Sequence, residues 1–315
     1  MIIPYFTQFS SPHLTTTNTG LGNALFQLFT AYGISYKYKH TLNLSELLRL
    51  IVILTKWGLN HKNTIYRNIL KYFHPLNTNN NNIIQVNERN NYYSLYDEKI
   101  INTITNIPNN THCYLRGYLQ SFLYFDEYYK DICEILSPDQ ESLLYIKNKY
   151  EHLFKKDILN ISCHIRVSWG CNIKYDEDYN YCNDAIDYII KHNKTEHKSI
   201  IINIFSDDIE LVKQKFNLKY KQDNITIIYF QDNFDYIDLW CMSLCNHNIL
   251  SNSTLSWWGA YLNQSCNKIV TYPSDILRLV GGTVYNTHHL LERKYQHYKP
   301  EWISIDTQNV ISQSL

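Results

Sequence analysis

The sequence predicts an α/β protein organised on a parallel sheet, and three observations predict it. Short apolar runs alternate with helical periodicity from Ile158 to Thr271. The runs are apolar at consecutive positions and not at every second one, as in strands covered by helices on both faces. Polar motifs follow several runs directly, at the strand ends where such sheets bind ligands.

In chain order, Ile158 to Val167 reads as a strand and Asp176 to His192 as a helix with Ala185, Ile186, Ile189 and Ile190 on one side. Ser199 to Phe205 reads as a buried strand, followed by Ser206-Asp207-Asp208 and a helix to about Phe216. Ile225 to Phe230 is the next strand, Tyr236 to Cys245 an amphipathic helix and His247 to Leu250 a short strand. A polar turn from Ser251 to Thr254 leads into a helix from Leu255 to Asn263, and Lys268 to Thr271 is expected as the last strand.

The first half is less regular. Ile2 to Phe6 fits a short strand, Thr15 to Gly22 a turn-rich loop and Leu25 to Tyr38 a helix. Leu42 to Leu54 is apolar but short and contains Glu46 and Arg49, so it reads as a core or interfacial helix and not a membrane span. The Asn-heavy stretch from Asn60 to Asn110 is expected to be an irregular surface insertion. Order returns with a strand from His112 to Leu115, then helices through Tyr129 and from Pro138 to Phe154.

Composition bounds the function. The 315 residues carry 29 basic and 29 acidic side chains, which gives no reason to expect a polyanion, and no nucleic-acid partner is predicted. Eight cysteines form no C-x-x-C pair, so reduced buried thiols are expected and a zinc site is not. The N-terminus lacks a basic segment followed by an apolar one, so no signal peptide is expected. A cytoplasmic location follows, with peripheral membrane association left open. No G-x-G-x-x-G or G-x-x-x-x-G-K-[ST] motif follows a strand, which counts against NAD enzymes and P-loop NTPases.

The strand ends carry the candidate chemistry. Asn252, Ser253 and Thr254 lie where a strand hands over to a helix, a place that can bind an anion or simply cap the helix. Arg166 can grip a phosphate with two prongs or form a structural ion pair, and its strand-end position favours the ligand. His164 shares its face and is a possible donor to phosphate or substrate. Asp207 suits a ribose hydroxyl or base N–H, whereas Asp208 is expected to cap the next helix. Trp257 and Trp258 are expected in the core.

Several of these segments together resemble one family. The run from His247 to Ala260, the stretch Gly20-Leu21-Gly22-Asn23-Ala24-Leu25-Phe26-Gln27, the segment Gly117-Tyr118-Leu119-Gln120-Ser121 and Phe205-Ser206-Asp207-Asp208 strongly resemble motifs of the α-1,2-fucosyltransferase family, glycosyltransferase family eleven. The resemblance implies a GT-B architecture of two Rossmann-like domains facing across a cleft. It divides the chain into an acceptor-side domain (1–155), a donor domain (156–285) and an extension (286–315) packing back on the first. It implies an inverting glycosyltransferase that moves L-fucose from GDP-fucose to a sugar hydroxyl, with a β-galactoside as acceptor and no metal or other cofactor. Arg166 and His164 would be catalytic, and Gly22, Asn23, Asp207, Asn252, Ser253 and Thr254 would bind the donor. The family's first donor motif, H-x-R-R-x-D, reads His164-Ile165-Arg166-Val167-Ser168-Trp169 here, so one cation and the acid are missing. That makes another 6-deoxy-sugar nucleotide the competing donor, and a non-catalytic nucleotide- or carbohydrate-binding derivative a second alternative. Asp176, Glu177 and Asp178 are candidate bases, although three adjacent acids also suit a solvated helix start.

Overall fold

The computed structural model describes residues 1–6, 20–56, 63–73, 82–88, 96–108, 111–167, 175–193, 197–219, 223–274 and 296–306. The chain divides into two units, Met1–Ser137 with Thr287–Pro300 and Pro138–Asn286 with Glu301–Leu315. Each is α/β with a parallel sheet.

In the first unit, β1 (Ile2–Tyr5) and β2 (Ile83–Asn87) flank β3 (His112–Arg116), and both pairings are parallel. Helix α1 (Leu21–Lys37) is buried almost all round, with Leu25, Phe26, Phe29 and Ala31 fully enclosed, so it runs through the core and not along its surface. Helix α2 (Ser45–Lys56) buries Leu47, Leu50 and Leu54 and packs on α3 (Asn63–Leu70). Helix α4 (Glu98–Thr105) is capped by Asp97, whose carboxylate accepts the Lys99 N–H at 2.8 Å. Helix α5 (Tyr129–Ile135) follows two single-turn 3-10 segments.

The expected irregular insertion at 60–110 is corrected by these elements, because the stretch supplies α3, β2 and α4. β2 has little inward patterning of its own, with only Val86 buried among its five residues. It is held by main-chain pairing to β3, and non-local pairing overrides an Asn-rich composition. The loop expected from Thr15 lies outside the described residues as far as position 19.

The second unit begins with α6 (Gln140–Lys149), capped by Asp139. Its strands are β4 (Ile158–Ile165), β5 (Ser199–Ser206), β6 (Ile225–Tyr229), β7 (His247–Ile249), β8 (Val270–Pro273) and β9 (Ile303–Ile305). Between them lie α7 (Tyr175–His192), α8 (Ile209–Lys215), α9 (Asp235–Ser243) and α10 (Thr254–Leu262). The division between units precedes α6, ahead of the expected 155/156 boundary, because α6 packs on α9 and the turn at Glu151–Phe154 packs on β4. Residues 301–306 form β9 in the second unit, so the expected extension is shared between the two units.

Two further expectations are corrected. The strand at 268–271 is not the last, because β9 adds to β8 in parallel. The central strands β4, β5 and β7 are buried on both faces but are not apolar on both. Leu159, Ile161, Cys163 and Ile165 join an apolar layer with Ile186, Ile189, Ile202 and Ile204. The opposite row of β4 is Asn160, Ser162 and His164, all buried. These polar groups are satisfied across strands: Asn203 Nδ2 donates to Asn160 Oδ1 (3.1 Å), Asn248 Nδ2 to Ser162 Oγ (2.7 Å) and Asn263 Nδ2 to Asn248 Oδ1 (2.7 Å). A connected network of this kind fixes register, because a slip would leave several buried donors unpaired. Trp257 and Trp258 are core residues as expected, packed with Tyr261.

Candidate active site at the sheet switch point

The six-stranded sheet has the order β6-β5-β4-β7-β8-β9. In order of appearance this is 3-2-1-4-5-6, and the order reverses between β4 and β7. β4 and β7 pair side by side there, and the carboxyl ends at such a reversal of strand order are where sheets of this kind bind ligands. The sequence-predicted residues of the second unit gather at that place.

His164 is the penultimate residue of β4, and its Nδ1 makes a 2.7 Å hydrogen bond with Ser251 Oγ just beyond β7. The bond therefore spans the switch point. Burial lowers the His164 pKa to about 4; the Arg166 charge adds to this and Asp207 opposes it. The imidazole is neutral at pH 7 and acts as a positioned dipole, not as a cation.

Arg166 continues the row of Asn160, Ser162 and His164 into the loop. Its Nε lies 3.4 Å from Asp207 Oδ2, and the other Asp207 oxygen accepts the Val167 N–H at 2.8 Å. One carboxylate beyond β5 therefore fixes both the main chain and the guanidinium beyond β4. Arg166 keeps about a third of its side chain exposed, at 32%. Asp207 is expected to meet a ribose hydroxyl or base N–H; within the protein its two oxygens meet the Val167 N–H and the Arg166 guanidinium, so it also positions Arg166. Asp208 caps α8 as expected, its Oδ1 accepting the Leu211 N–H at 3.0 Å.

Ser253 is the N-cap of α10, its Oγ accepting the Leu255 N–H at 3.3 Å, and Thr254 is the first helical residue. Ser256 Oγ bonds back to the Ser253 carbonyl at 2.9 Å. Asn252, Ser253 and Thr254 are all partly exposed. The positive end of a nine-residue helix thus follows β7, the sheet neighbour of β4, whose end leads into Arg166. This pairing can neutralise a diphosphate. We expect Ser253→Ala with Thr254→Ala to weaken GDP binding while lowering ligand-free stability by only about 0.5–2 kcal/mol per cap lost. Calorimetric titration beside thermal unfolding checks this; unchanged affinity with a lower melting temperature would leave the pair as caps alone.

Gly22 and Asn23 belong to the first unit, in the first turn of α1. Asn23 Oδ1 accepts Gln120 Nε2 at 2.8 Å, and Gln27 Nε2 donates to the Gly117 carbonyl at 2.7 Å. Two motifs some ninety residues apart in sequence are thereby locked together. Gly117, with φ +145°, opens a turn in which the buried Glu88 carboxylate accepts the N–H groups of Tyr118 (2.8 Å) and Leu119 (3.2 Å). The Gln120 carbonyl in turn meets His297 Nδ1 at 2.7 Å. Sequence reading missed Glu88, Ser251 and His297, because nothing local marks them.

Among the described residues, no group of three His, Cys, Asp or Glu side chains is placed to hold a metal ion. Six of the cysteines are buried and Cys266 is exposed, all as free thiols; Cys171 lies outside the described residues. Trp169 also lies outside them, as do the side chains of Asp176, Glu177 and Asp178, whose main chain opens α7. Among the described residues no helix is long and apolar enough to cross a membrane.

Residues 15–306 match the model of glycosyl transferase family 11. The chain belongs to this family. It is a glycosyltransferase, which implies a nucleotide-sugar donor and a glycan acceptor. It is similar to the O-antigen biosynthesis glycosyltransferase WbnK of Escherichia coli, 29% identical over 288 residues that cover 81% of this chain and 91% of the relative. It is also similar to an α-1,2-colitosyltransferase of Escherichia coli, 28% identical over 153 residues, 46% of this chain and 50% of the relative. Among solved structures it resembles Arabidopsis thaliana FUT1, a variant in complex with GDP, with a TM-score of 0.49, 11% identity and coverage of 86% of this chain and 69% of that one. The fucosyltransferase NodZ from Bradyrhizobium gives a TM-score of 0.46 at 12% identity, covering 76% and 88%.

Proposed function

We propose that the glycosyltransferase moves L-fucose from GDP-fucose to a hydroxyl of a terminal β-galactoside, with inversion and without a metal. The observation that carries this reading is Arg166, held by Asp207 beyond β4, with the N-terminus of α10 following the adjacent strand β7. In the reaction the acceptor hydroxyl oxygen attacks the anomeric carbon from the face opposite the diphosphate, and its proton is lost to water. The bond from that carbon to the phosphate oxygen breaks, and its electron pair leaves with GDP. Charge grows on the departing diphosphate, where the Arg166 guanidinium and the N–H groups of α10 can meet it in place of a cation. His164, neutral and fixed by Ser251, donates or accepts a hydrogen bond at the donor without adding charge.

A second donor is favoured by one observation. Val167 stands where the family motif has a second arginine, and a relative is named for transfer of colitose and not fucose. The deciding experiment measures GDP release and product formation with GDP-fucose, other GDP-deoxysugars, UDP-sugars and dTDP-sugars, each with lactose and with EDTA. GDP-fucose should turn over and EDTA should leave the rate unchanged. Turnover with another deoxysugar alone replaces the donor assignment; rates abolished by EDTA and restored by Mn²⁺ overturn metal independence.

A further inference from the structure

We infer that the last rung of the first unit's sheet is an acceptor subsite, where Arg116 donates hydrogen bonds to the oxygens of the glycan and Tyr5 positions it. The inference rests on the transfer reaction proposed above and names the side chains that hold its acceptor.

The sheet itself is the first reason. The middle strand β3 alternates, with Cys113 and Leu115 fully buried and Tyr114 and Arg116 part-exposed. Parallel strands are ordinarily covered on both faces. Gln85 and Asn87 of β2, level with Tyr114 and Arg116, are exposed as well. Among the described residues, one face of β2 and β3 is therefore open towards its carboxyl end. Gly117, with φ +145°, turns the chain directly after Arg116. That leaves Arg116 on the final rung, between Tyr5 of β1 and Asn87 of β2. Carboxyl ends of parallel strands are where such sheets take ligands.

The state of Arg116 is the second reason: it is held but not neutralised. Its guanidinium lies 4.4 Å from the centroid of the Tyr5 ring, and its Nη1 donates to Gln85 Oε1 at 3.2 Å. Tyr114 meets the Tyr5 ring edge-on at 5.9 Å and steadies it. Lys37, Arg49 and Lys299 of the same unit each pair with an acid. Arg116 has no acidic partner among the described residues, and the rest of its fork of N–H donors is unspent there. The Asn87 amide and the Tyr5 hydroxyl beside it make no hydrogen bond among the described residues. Fixed donors, an amide and an aromatic ring suit a ligand rich in hydroxyl and ring oxygens, and the family implies a glycan acceptor.

Other occupants fit less well. A protein partner finds little apolar surface to bury on this rung, and a polyanion finds one cation where it needs a row of them.

The test is steady-state transfer from GDP-fucose to lactose, set beside saturation-transfer NMR of lactose with the GDP-loaded protein. Arg116→Ala should raise the KM for lactose about ten- to a hundredfold with kcat nearly unchanged, and should weaken the lactose NMR signal. The KM for GDP-fucose should stay, and the melting temperature should move by no more than about 2 °C. Tyr5→Leu removes the ring that aims the guanidinium and should shift the lactose KM in the same direction by less; Tyr5→Phe keeps the ring and should restore it. The inference is overturned if Arg116→Ala keeps the wild-type lactose KM and NMR signal, if the KM for GDP-fucose rises in its place, or if the wild type gives no lactose signal. Failure of the donor assignment reads differently: GDP-fucose then does not turn over, while lactose still binds and Arg116→Ala still weakens its signal.

Discussion

Replacing Arg166 with alanine should lower turnover about a hundred- to a thousandfold while leaving the protein folded. The size of the effect comes from timing. The guanidinium meets a charge that becomes concentrated on the diphosphate only as the sugar departs, so its loss raises the barrier more than it weakens donor binding. The stability side is small, because the ion pair to Asp207 is part-exposed and such pairs contribute about 0–1 kcal/mol. Arg166→Lys should recover only part of the rate, since a point charge replaces a planar fork. Asp207→Asn should have a milder effect, acting through the aim of Arg166, because an amide oxygen still accepts the Val167 N–H. Steady-state kinetics with GDP-fucose, set beside thermal unfolding, read both quantities. An alanine variant with wild-type kcat would remove Arg166 from the reaction.

Gly117→Ala should damage the first unit severely through one added methyl group. At φ +145° an L side chain is strained, and a Cβ there would overlap Glu88 Cβ and lie 2.5 Å from its Oε2. Strain and overpacking together should cost about 3 kcal/mol or more. The damage should spread along the turn, because Glu88 holds the N–H groups of Tyr118 and Leu119, and Gln120 then reaches Asn23. Loss of transfer should therefore accompany the lowered unfolding midpoint. A variant melting within about 1 °C of the wild type would show that the turn tolerates the side chain.

The sequence revealed the second unit more clearly than the first for physical reasons. β4 and β5 are long and rich in isoleucine, so their burial shows locally. β2 and β9 owe their existence to main-chain pairing with β3 and β8, and their own residues carry little pattern. The buried Asn160, Ser162 and Asn203 hide inside runs that look apolar on average, so the polar face of the sheet was invisible until its partners were known. His164, Arg166, Asp207 and Ser253 could be found because strand ends carry ligands. What fixes them could not. Ser251 lies 87 positions from His164, and Asp207 lies 40 from Val167, so those contacts exist only once the strands have been ordered.

The path of the chain after position 286 bears on how the protein is made. Gln296 and His297 contribute to the first unit, holding Ser121 and the Gln120 carbonyl, and only a few residues later β9 closes the edge of the other sheet. During synthesis the turn after Gly117 and the edge of the second sheet must therefore both wait for one late stretch of polypeptide. The nascent chain carries β8 as an open edge, and the turn after Gly117 lacks its partner, until about residue 306 has left the ribosome. A stop codon or proteolytic cut before residue 296 would then disable both halves at once, although it removes only a small fraction of the sequence.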